Sequence, residues 1–475
     1  MQARAVGSHY DAVVVGSGPN GLAAAVTLAE AGRSVLVLEA EPKAGGGLRT
    51  MELTEPGFRH DICSTIQAMA SISPFLKHRP LDLVKPPAAL AHPLDSGAVA
   101  VVEGSVADTA RGLGQDDAAY RRLLGPLEPH AEQLFEELLG PPRLPRRPLL
   151  AWNFGMPAIM PAQMLARIAF RGAPARALFA GVAAHGMLSL REPATSAFAL
   201  VLLLAAHHGG WPLARGGSAS VADALIGRLR ELGGELHCGE RVDSVDRLPH
   251  SRAVLLDLTP REILRVAGDR LSRGYRRGLR RYRYGPGAFK VDWALDGPIP
   301  WRETECRRAA TVHLGGTLDE IALAESEVTA GRVPERPFVL LVQPTLFDPS
   351  RAPAGKHVGW AYCHVPNGCD VDMTQRIEDQ VERFAPGFRD LVRARSAWGP
   401  AEIESHNANY VGGDINGGRQ NLGQLFTRPM VRLNPYTTSD PRLFLCSSAT
   451  PPGGGVHGMC GWYGAQTVLR RALQT

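Results

Sequence analysis

Glycines stand at positions 16, 18 and 21 of the stretch YDAVVVGSGPNGLAAAVTLAEAGRSVLVLEA, Tyr10 to Ala40, between two apolar runs. Gly16 permits a tight turn, Gly18 lets a pyrophosphate approach the backbone, and Gly21 lets the next helix pack close to the strand. The phosphates would sit on that helix's free N–H groups. Glu39 ends the second run, where a carboxylate can accept both hydroxyls of an adenosine ribose. Polar chemistry gathers at three further places. Lys290 lies in GAFKVDWALDGPIPW, where alternation puts Phe289, Val291 and Trp293 on one face and the lysine on the other. His457, Cys460, Trp462 and Tyr463 follow the glycines of SSATPPGGGVHGMCGWYG. NANYVGGDINGG, Asn407 to Gly418, reads either as an ordinary surface loop or as one that brings Tyr410, Asp414 and Asn416 into a site. His364 and the His207–His208 pair are weaker candidates, because a lone histidine near a strand is more often a satisfied core residue.

These residues need a scaffold. Ala12–Val15 and Ser34–Leu38 predict buried parallel strands, with an alanine-rich helix over Leu22–Ala31, as a βαβ unit requires. From about residue 75 to 210 the pattern is helical and rich in proline and methionine (Met156, Met160, Met164, Met187), as in an inserted helical domain. Those methionines suit a packed core or the wall of an apolar cavity. Ser220–Leu232 predicts an amphipathic helix, Val254–Leu258 another buried strand, and Lys290 to about Val365 a second, strand-rich sheet. A strand at Leu443–Cys446, a glycine turn and a helix recur at the end of the chain, so one cofactor held from both ends would explain both sets. The fold class expected is α/β, a discontinuous Rossmann-like domain (1–75, 210–260 and 425–475) with an α+β substrate domain (76–209 and 261–424) that carries the second sheet and the helical insertion.

Composition narrows the class. The chain has 475 residues, 44% hydrophobic and 21% charged, with a net charge of +5, and is too long for one core and too apolar for disorder. No basic stripe interleaved with aromatics points to nucleic acid. The arginine-rich run from Arg270 to Arg283 reads as a solvated face or, as the alternative, a peripheral membrane contact. Seven cysteines (63, 238, 306, 363, 369, 446 and 460) without a CxxC pair indicate a reducing, cytoplasmic setting and no zinc site. No signal-peptide h-region is read before Tyr10. The apolar run Ala197–Ala206 is about half the length a membrane span needs.

GSGPNG with Glu39, GGGLRT at residues 45–50, PLARGGSASVADAL and the closing SSATPPGGGVHGMCG together resemble the FAD-dependent family of phytoene desaturases, carotenoid isomerases and retinol saturases. Within it, the phytoene-desaturase-like branch known as pyridine nucleotide-disulphide oxidoreductase domain proteins is the nearest pattern. The resemblance covers nearly the whole chain and implies FAD rather than NAD. It places Gly16, Gly18, Pro19 and Gly21 at the pyrophosphate, Glu39 at the ribose, and Gly46, Gly47, Arg49 and Thr50 beside the pyrophosphate and ribityl chain. Val242 would meet the adenine through its backbone. Gly454, Gly455 and Val456 would point N–H groups at the flavin's pyrimidine edge, where reduced flavin is anionic. The wider flavin amine oxidases carry a Gly-Asp pair after the last strand; here Ser447-Ser448 stands there.

Under this resemblance Lys290 would hold a water near flavin N5, as a lysine in a similar strand of the amine oxidases does, or would simply be a lysine on an exposed strand face. His457 would be a proton donor or acceptor, or a backbone cap, with Trp462 walling the substrate site; Cys460 would be a covalent attachment point on position alone. The activity implied is hydride transfer between an apolar substrate and flavin N5, of desaturase, dehydrogenase or saturase type. Two alternatives stay open: a C–N oxidase using oxygen, and a flavoprotein without net redox turnover, an isomerase or a scaffold. The electron acceptor (oxygen, a quinone or a protein) and the oligomeric state are not written in the sequence.

Overall fold

A computed structural model of the chain describes residues 9–474; the first eight residues and Thr475, included in the expected domain boundaries, lie outside the described residues. The apolar run after Tyr10 forms β1 (Tyr10–Val15), the alanine-rich segment forms α1 (Pro19–Glu30), and β2 (Val35–Glu39) follows. Next come β3 (Ala88–Pro93) and β4 (Val99–Val102). A helical stretch then includes α2 (Pro148–Ala158), α3 (Ala162–Ala169), α4 (Ala173–Ala184) and α5 (Ser196–His208). β5 (Glu235–Cys238), β6 (Ser251–Leu256) and α6 (Pro260–Ala267) precede the strands β7 (Gly287–Leu295), β8 (Ala309–Leu314), β9 (Val339–Val342), β10 (His357–Val365) and β11 (Val392–Trp398). β12 (Leu443–Leu445) and α7 (Met459–Arg471) end the chain.

The first sheet is parallel, in the order β12–β6–β1–β2–β5. The chain leaves β1 toward β2 on one side while β6 and β12 add on the other, and open sheets bind ligands at the carboxyl ends beside such a switch. Both faces are apolar and both are covered. Ala12, Val14, Val35 and Val37 pack with α1 and the helical insertion, and Val13, Val15, Leu36 and Val254 pack under Ile263, Val266, Tyr275 and Leu279. The boundary expected at residue 260 therefore moves. The segment carrying α6 and the helix Arg273–Leu279 closes the parallel sheet instead of joining the substrate domain, because a doubly covered sheet needs a second layer.

The second sheet runs β11–β7–β10–β9–β8–β3–β4 and is mixed, with β8–β3 parallel and the other pairs antiparallel. The hairpin β3–β4 comes from within the segment read as helical, so the insertion is tied to this sheet. Its methionines divide: Met187 is buried, whereas Met156 and Met164 face outward. The two chain ends meet on the fingerprint helix. A Cβ on Gly461 of α7 would overlap the Asn20 carbonyl oxygen of α1, so only glycine lets these helices touch at that point. No helix among the described residues is long and apolar enough to cross a membrane.

Candidate active site

The turn after β1 is built as its glycines require. Gly16 has φ +101° and donates its N–H to the Leu38 carbonyl at 2.8 Å; a Cβ on Gly21 would overlap the Gly16 oxygen. Glu39, buried at the end of β2, accepts the Ser17 N–H at 3.0 Å, the Ser17 hydroxyl, the Glu41 N–H at 3.0 Å and Arg49 Nη2 at 3.3 Å. Arg49 also donates to the Lys43 carbonyl at 2.9 Å and faces His406 Nε2 at 3.1 Å. Burial and that guanidinium hold His406 down to about 4, so its Nε2 is an acceptor.

One helix-terminus expectation is revised. The N–H groups of Gly21, at 2.8 Å, and Gly18 are taken by the Asp257 carboxylate, which follows β6. An acid at a helix N-terminus is favoured by the dipole, yet full burial and Glu39 nearby raise Asp257 to about 7. No local sequence signal marks this residue, because β6 reaches β1 only through sheet pairing.

A cavity of about 350 Å³ runs along this edge and beyond it. One end is lined by Glu240, Arg241, Val242, Glu262 and Arg265; the middle by Gly16–Asn20, Gly46, Gly47, Arg49, Tyr410, Asn416 and Ser447–Ala449. Gly46 and Gly47 permit close approach here. A Cβ would lie 2.9 Å from the Gly18 Cα at the first and would overlap the Tyr410 hydroxyl at the second. The far end is walled by Met69, Leu202, Trp211, Leu340, Val342, Trp360 and Tyr362, with His185 and Thr311. Every carboxylate in the wall (Glu39, Glu41, Glu240, Asp257, Glu262) belongs to the parallel-sheet end.

His185 is held from behind by a buried histidine pair. Its Nε2 lies 3.0 Å from His313 Nε2, so one ring donates to the other, and its ring packs edge-on to Trp211 at 5.5 Å. Burial, with His364 close by, pushes His185 down to about 3, and the imidazole is neutral. Nothing in the sequence around HGMLSL marks it. It reaches the cavity because α4 packs on the second sheet.

The residues singled out from sequence divide. Gly16, Gly18, Pro19, Glu39, Gly46, Gly47, Arg49, Val242, Gly455, Val456 and Tyr410 line the cavity, whereas Gly21, Thr50 and Gly454 stand one step behind it. Thr50 donates to Asp61 at 2.7 Å, and Gly454 packs on Asn416. Asp414 turns its buried carboxylate to the N–H groups of Gly285, Asn416 and Gly418, shaping the loop whose Asn416 faces the cavity.

Lys290 is not on an exposed strand face. Its buried ammonium donates to the Asp61 carbonyl at 3.1 Å, pairs with Asp292 at 2.6 Å and borders a separate small cavity behind Trp360 and Tyr362. His457 caps the backbone: Nδ1 accepts the Met459 N–H at 3.0 Å, which leaves Nε2 to donate to the Gly453 carbonyl at 3.2 Å. Neither His457 nor Trp462 is in the cavity wall. Cys460 is buried against the Thr450 and Gly453 carbonyls, its thiol pushed up to about 11 by burial, and it too lies outside the wall.

Residues 14–78 match the NAD(P)-binding Rossmann-like domain. The rat protein called pyridine nucleotide-disulfide oxidoreductase domain-containing protein 2 is 26% identical, over 97% of this chain and 94% of that protein. The phytoene dehydrogenase of Streptomyces griseus is 28% identical over 80% of this chain and 77% of its own. The chain is an FAD-dependent oxidoreductase similar along most of its length to these phytoene-desaturase-like proteins. In fold it also matches a putrescine oxidase bound to putrescine, with a TM-score of 0.61 and 17% identity over 98% of this chain and 100% of that one.

The residues present fit FAD. The close-approach glycines let the backbone at 16–21 and 46–47 pack against itself, Asp257 and Tyr410, where a Cβ would clash, and so bring bare backbone to the cavity wall. Arg49 offers a cation to the middle of the cavity, Glu39 stands where a ribose belongs, and buried Asn20 Oδ1 in the wall lacks a partner among the described residues. In this desaturase-like chain the cofactor would be held by Gly16–Asn20, Glu39, Gly46–Arg49, Val242 and Gly455–Val456.

Proposed function

We propose that the chain moves a hydride between bound FAD and a carbon atom of a neutral, apolar substrate, in the desaturase, dehydrogenase or saturase sense. The observation that carries this reading is the far end of the cavity, apolar and aromatic, without a carboxylate. A hydrocarbon gains about 25 cal/mol per Å² on entering such a wall. An ammonium entering it would lose its water and find no counter-ion, a cost of several kcal/mol. The amine-oxidase reading rests on Lys290, whose ammonium is engaged by Asp292 and Asp61 in the cavity behind.

FAD, when bound, supplies a two-electron acceptor or donor for hydride. The rest falls to the chain. The apolar wall binds the carbon chain and keeps water out. Forming a carbon–carbon double bond would break two adjacent C–H bonds; bound FAD would supply the hydride acceptor, and the chain must accept the proton. The neutral His185 imidazole takes that proton and shares it with His313; in the saturating direction the same ring returns it. Oxygen, a quinone or a partner protein could each serve as the electron acceptor.

Titrating the flavin-loaded protein with neutral isoprenoids and, separately, with aliphatic amines tests the reading. A saturable change in the flavin absorbance bands with the isoprenoids alone is expected. The same change with amines alone would overturn it.

A further inference from the structure

Four Lys and Arg side chains are buried among the described residues: Arg49, Lys290, Arg351 and Arg428. The first three each meet a carboxylate, Glu39, Asp292 and Asp61 in turn. Arg428 meets none. It follows the short helix Leu422–Thr427 and is 1% exposed, and its Nε and Nη1 have no hydrogen-bond partner among the described residues. Nη2 donates to the Tyr282 hydroxyl at 3.2 Å and to the carbonyls of Gly418 at 3.3 Å and Gly417 at 3.5 Å. These acceptors are neutral, since burial pushes the Tyr282 phenol up to about 12. Asp414 is close enough to feel the guanidinium but stands outside ion-pair reach, its oxygens turned to the N–H groups of Gly285, Asn416 and Gly418. A guanidinium keeps its proton, and an unpaired buried charge costs several kcal/mol. The local backbone makes room for it nonetheless: a Cβ on Gly453 would overlap Nη1.

The position of this cation says which charge it answers. Gly417, whose carbonyl faces Arg428, lines the cavity beside Asn416, Ser448 and Gly455, and Gly453 begins the turn that Gly455 continues. A dinucleotide with its ribose at Glu39 and its diphosphate along Gly16–Asn20 carries its second ring onward past Gly46 and Gly47, so the ring comes against this wall and the diphosphate does not. We propose that Arg428 is the cation that offsets the negative charge a hydride leaves on the bound flavin ring. The proposal rests on the hydride reading above. A hydride brings one proton and two electrons to a neutral ring, which then carries one negative charge. A fixed positive charge one layer of backbone behind the wall, away from water, stabilises that form over the oxidised one. Arg428 is not itself in the wall, so it acts as a positioning residue: it sets how readily the ring is reduced and touches neither substrate nor cofactor.

The test is the midpoint potential of the bound flavin at pH 7, read by equilibration with a reference dye in the wild type, Arg428→Gln and Arg428→Lys. Arg428→Gln should disfavour the reduced ring by about tenfold or more, which lowers a two-electron potential by about 30 mV or more, and Arg428→Lys should restore most of the loss. Loaded Arg428→Gln at the wild-type potential would overturn the proposal, whatever happens to its melting midpoint. An unchanged potential with weakened FAD binding would also overturn it and assign the charge to the diphosphate. Should Arg428→Gln load too little flavin to titrate, the wild type and Arg428→Lys decide: both should hold FAD at a potential above that of free FAD, and a potential below it would overturn the proposal. No substrate enters these measurements, so a failure of the apolar-substrate reading is seen separately, as neutral compounds that leave the flavin unbleached.

Discussion

His185 is the residue on which the proposed chemistry turns. A general base contributes about 10²- to 10⁴-fold, so His185→Gln is expected to lower turnover by at least about 10², with flavin content unchanged and, because the ring is neutral above about pH 4, by the same factor at every pH from 5 to 9. Equal turnover in the variant would remove His185 from the reaction. Lys290 carries a different expectation. Lys290→Met leaves the fully buried Asp292 carboxylate without its cation, and burial already raises that carboxyl to about 6. Breaking a buried pair costs about 3–5 kcal/mol, to be read from the urea midpoint, and Lys290→Met/Asp292→Asn should recover part of it. A loss under about 1 kcal/mol would show that the pair is not held as described. Both residues also show where sequence reading stops. The alternation around Lys290 puts the right residues on the two faces of β7, but the face without Phe289 and Trp293 is closed by His60, Asp61 and Arg351 from distant segments. His185 has no local pattern at all.

At the scale of elements, local units were legible and their neighbours were not. β1, α1 and β2, with the glycines and Glu39, fall in one short stretch, so the dinucleotide end could be read directly. The strand, glycine turn and helix at the chain's end were legible in the same way. That α7 rests on α1 through Gly461 was not, because the close approach is made between helices more than 400 residues apart. Gly461→Val should push these helices apart, costing about 3 kcal/mol and lowering bound flavin, because Asn20 stands in the cavity wall. Gly227, within the helix Ala219–Glu231, has open space where an alanine methyl would stand, with no atom within 4 Å, so Gly227→Ala should instead stabilise by about 0.5–1 kcal/mol. Equal effects of the two substitutions on the melting midpoint would refute the packing described.

Across the whole molecule, buried titratable groups set the response to pH. His92 and His457 are held down to about 4 and His185 to about 3, chiefly by burial, and His313 lower still. Between pH 6.5 and 4 the unfolded chain binds protons that these rings refuse, so stability falls on acidification through that window. Asp257 and Asp292, raised to about 7 and about 6, act in the opposite sense, favouring the fold as pH falls. With His60, His207 and His406, also held down by burial, seven rings outnumber these two acids and the likewise raised Asp414. The thermal midpoint of the apoprotein should therefore drop from pH 6.5 to 4; a midpoint that rises over this range would contradict the burial of the histidines.

The central claim is that one cavity carries FAD beside a chamber for a neutral apolar substrate. Its most direct test is anaerobic mixing of the flavin-loaded protein with neutral polyenes and terpenoids on one side and aliphatic amines on the other, following the oxidised-flavin absorbance. Bleaching by a neutral compound, with a product changed by two hydrogens, is the result predicted. Bleaching by amines alone, with the neutral compounds inert to oxidised and dithionite-reduced protein alike, would contradict the account.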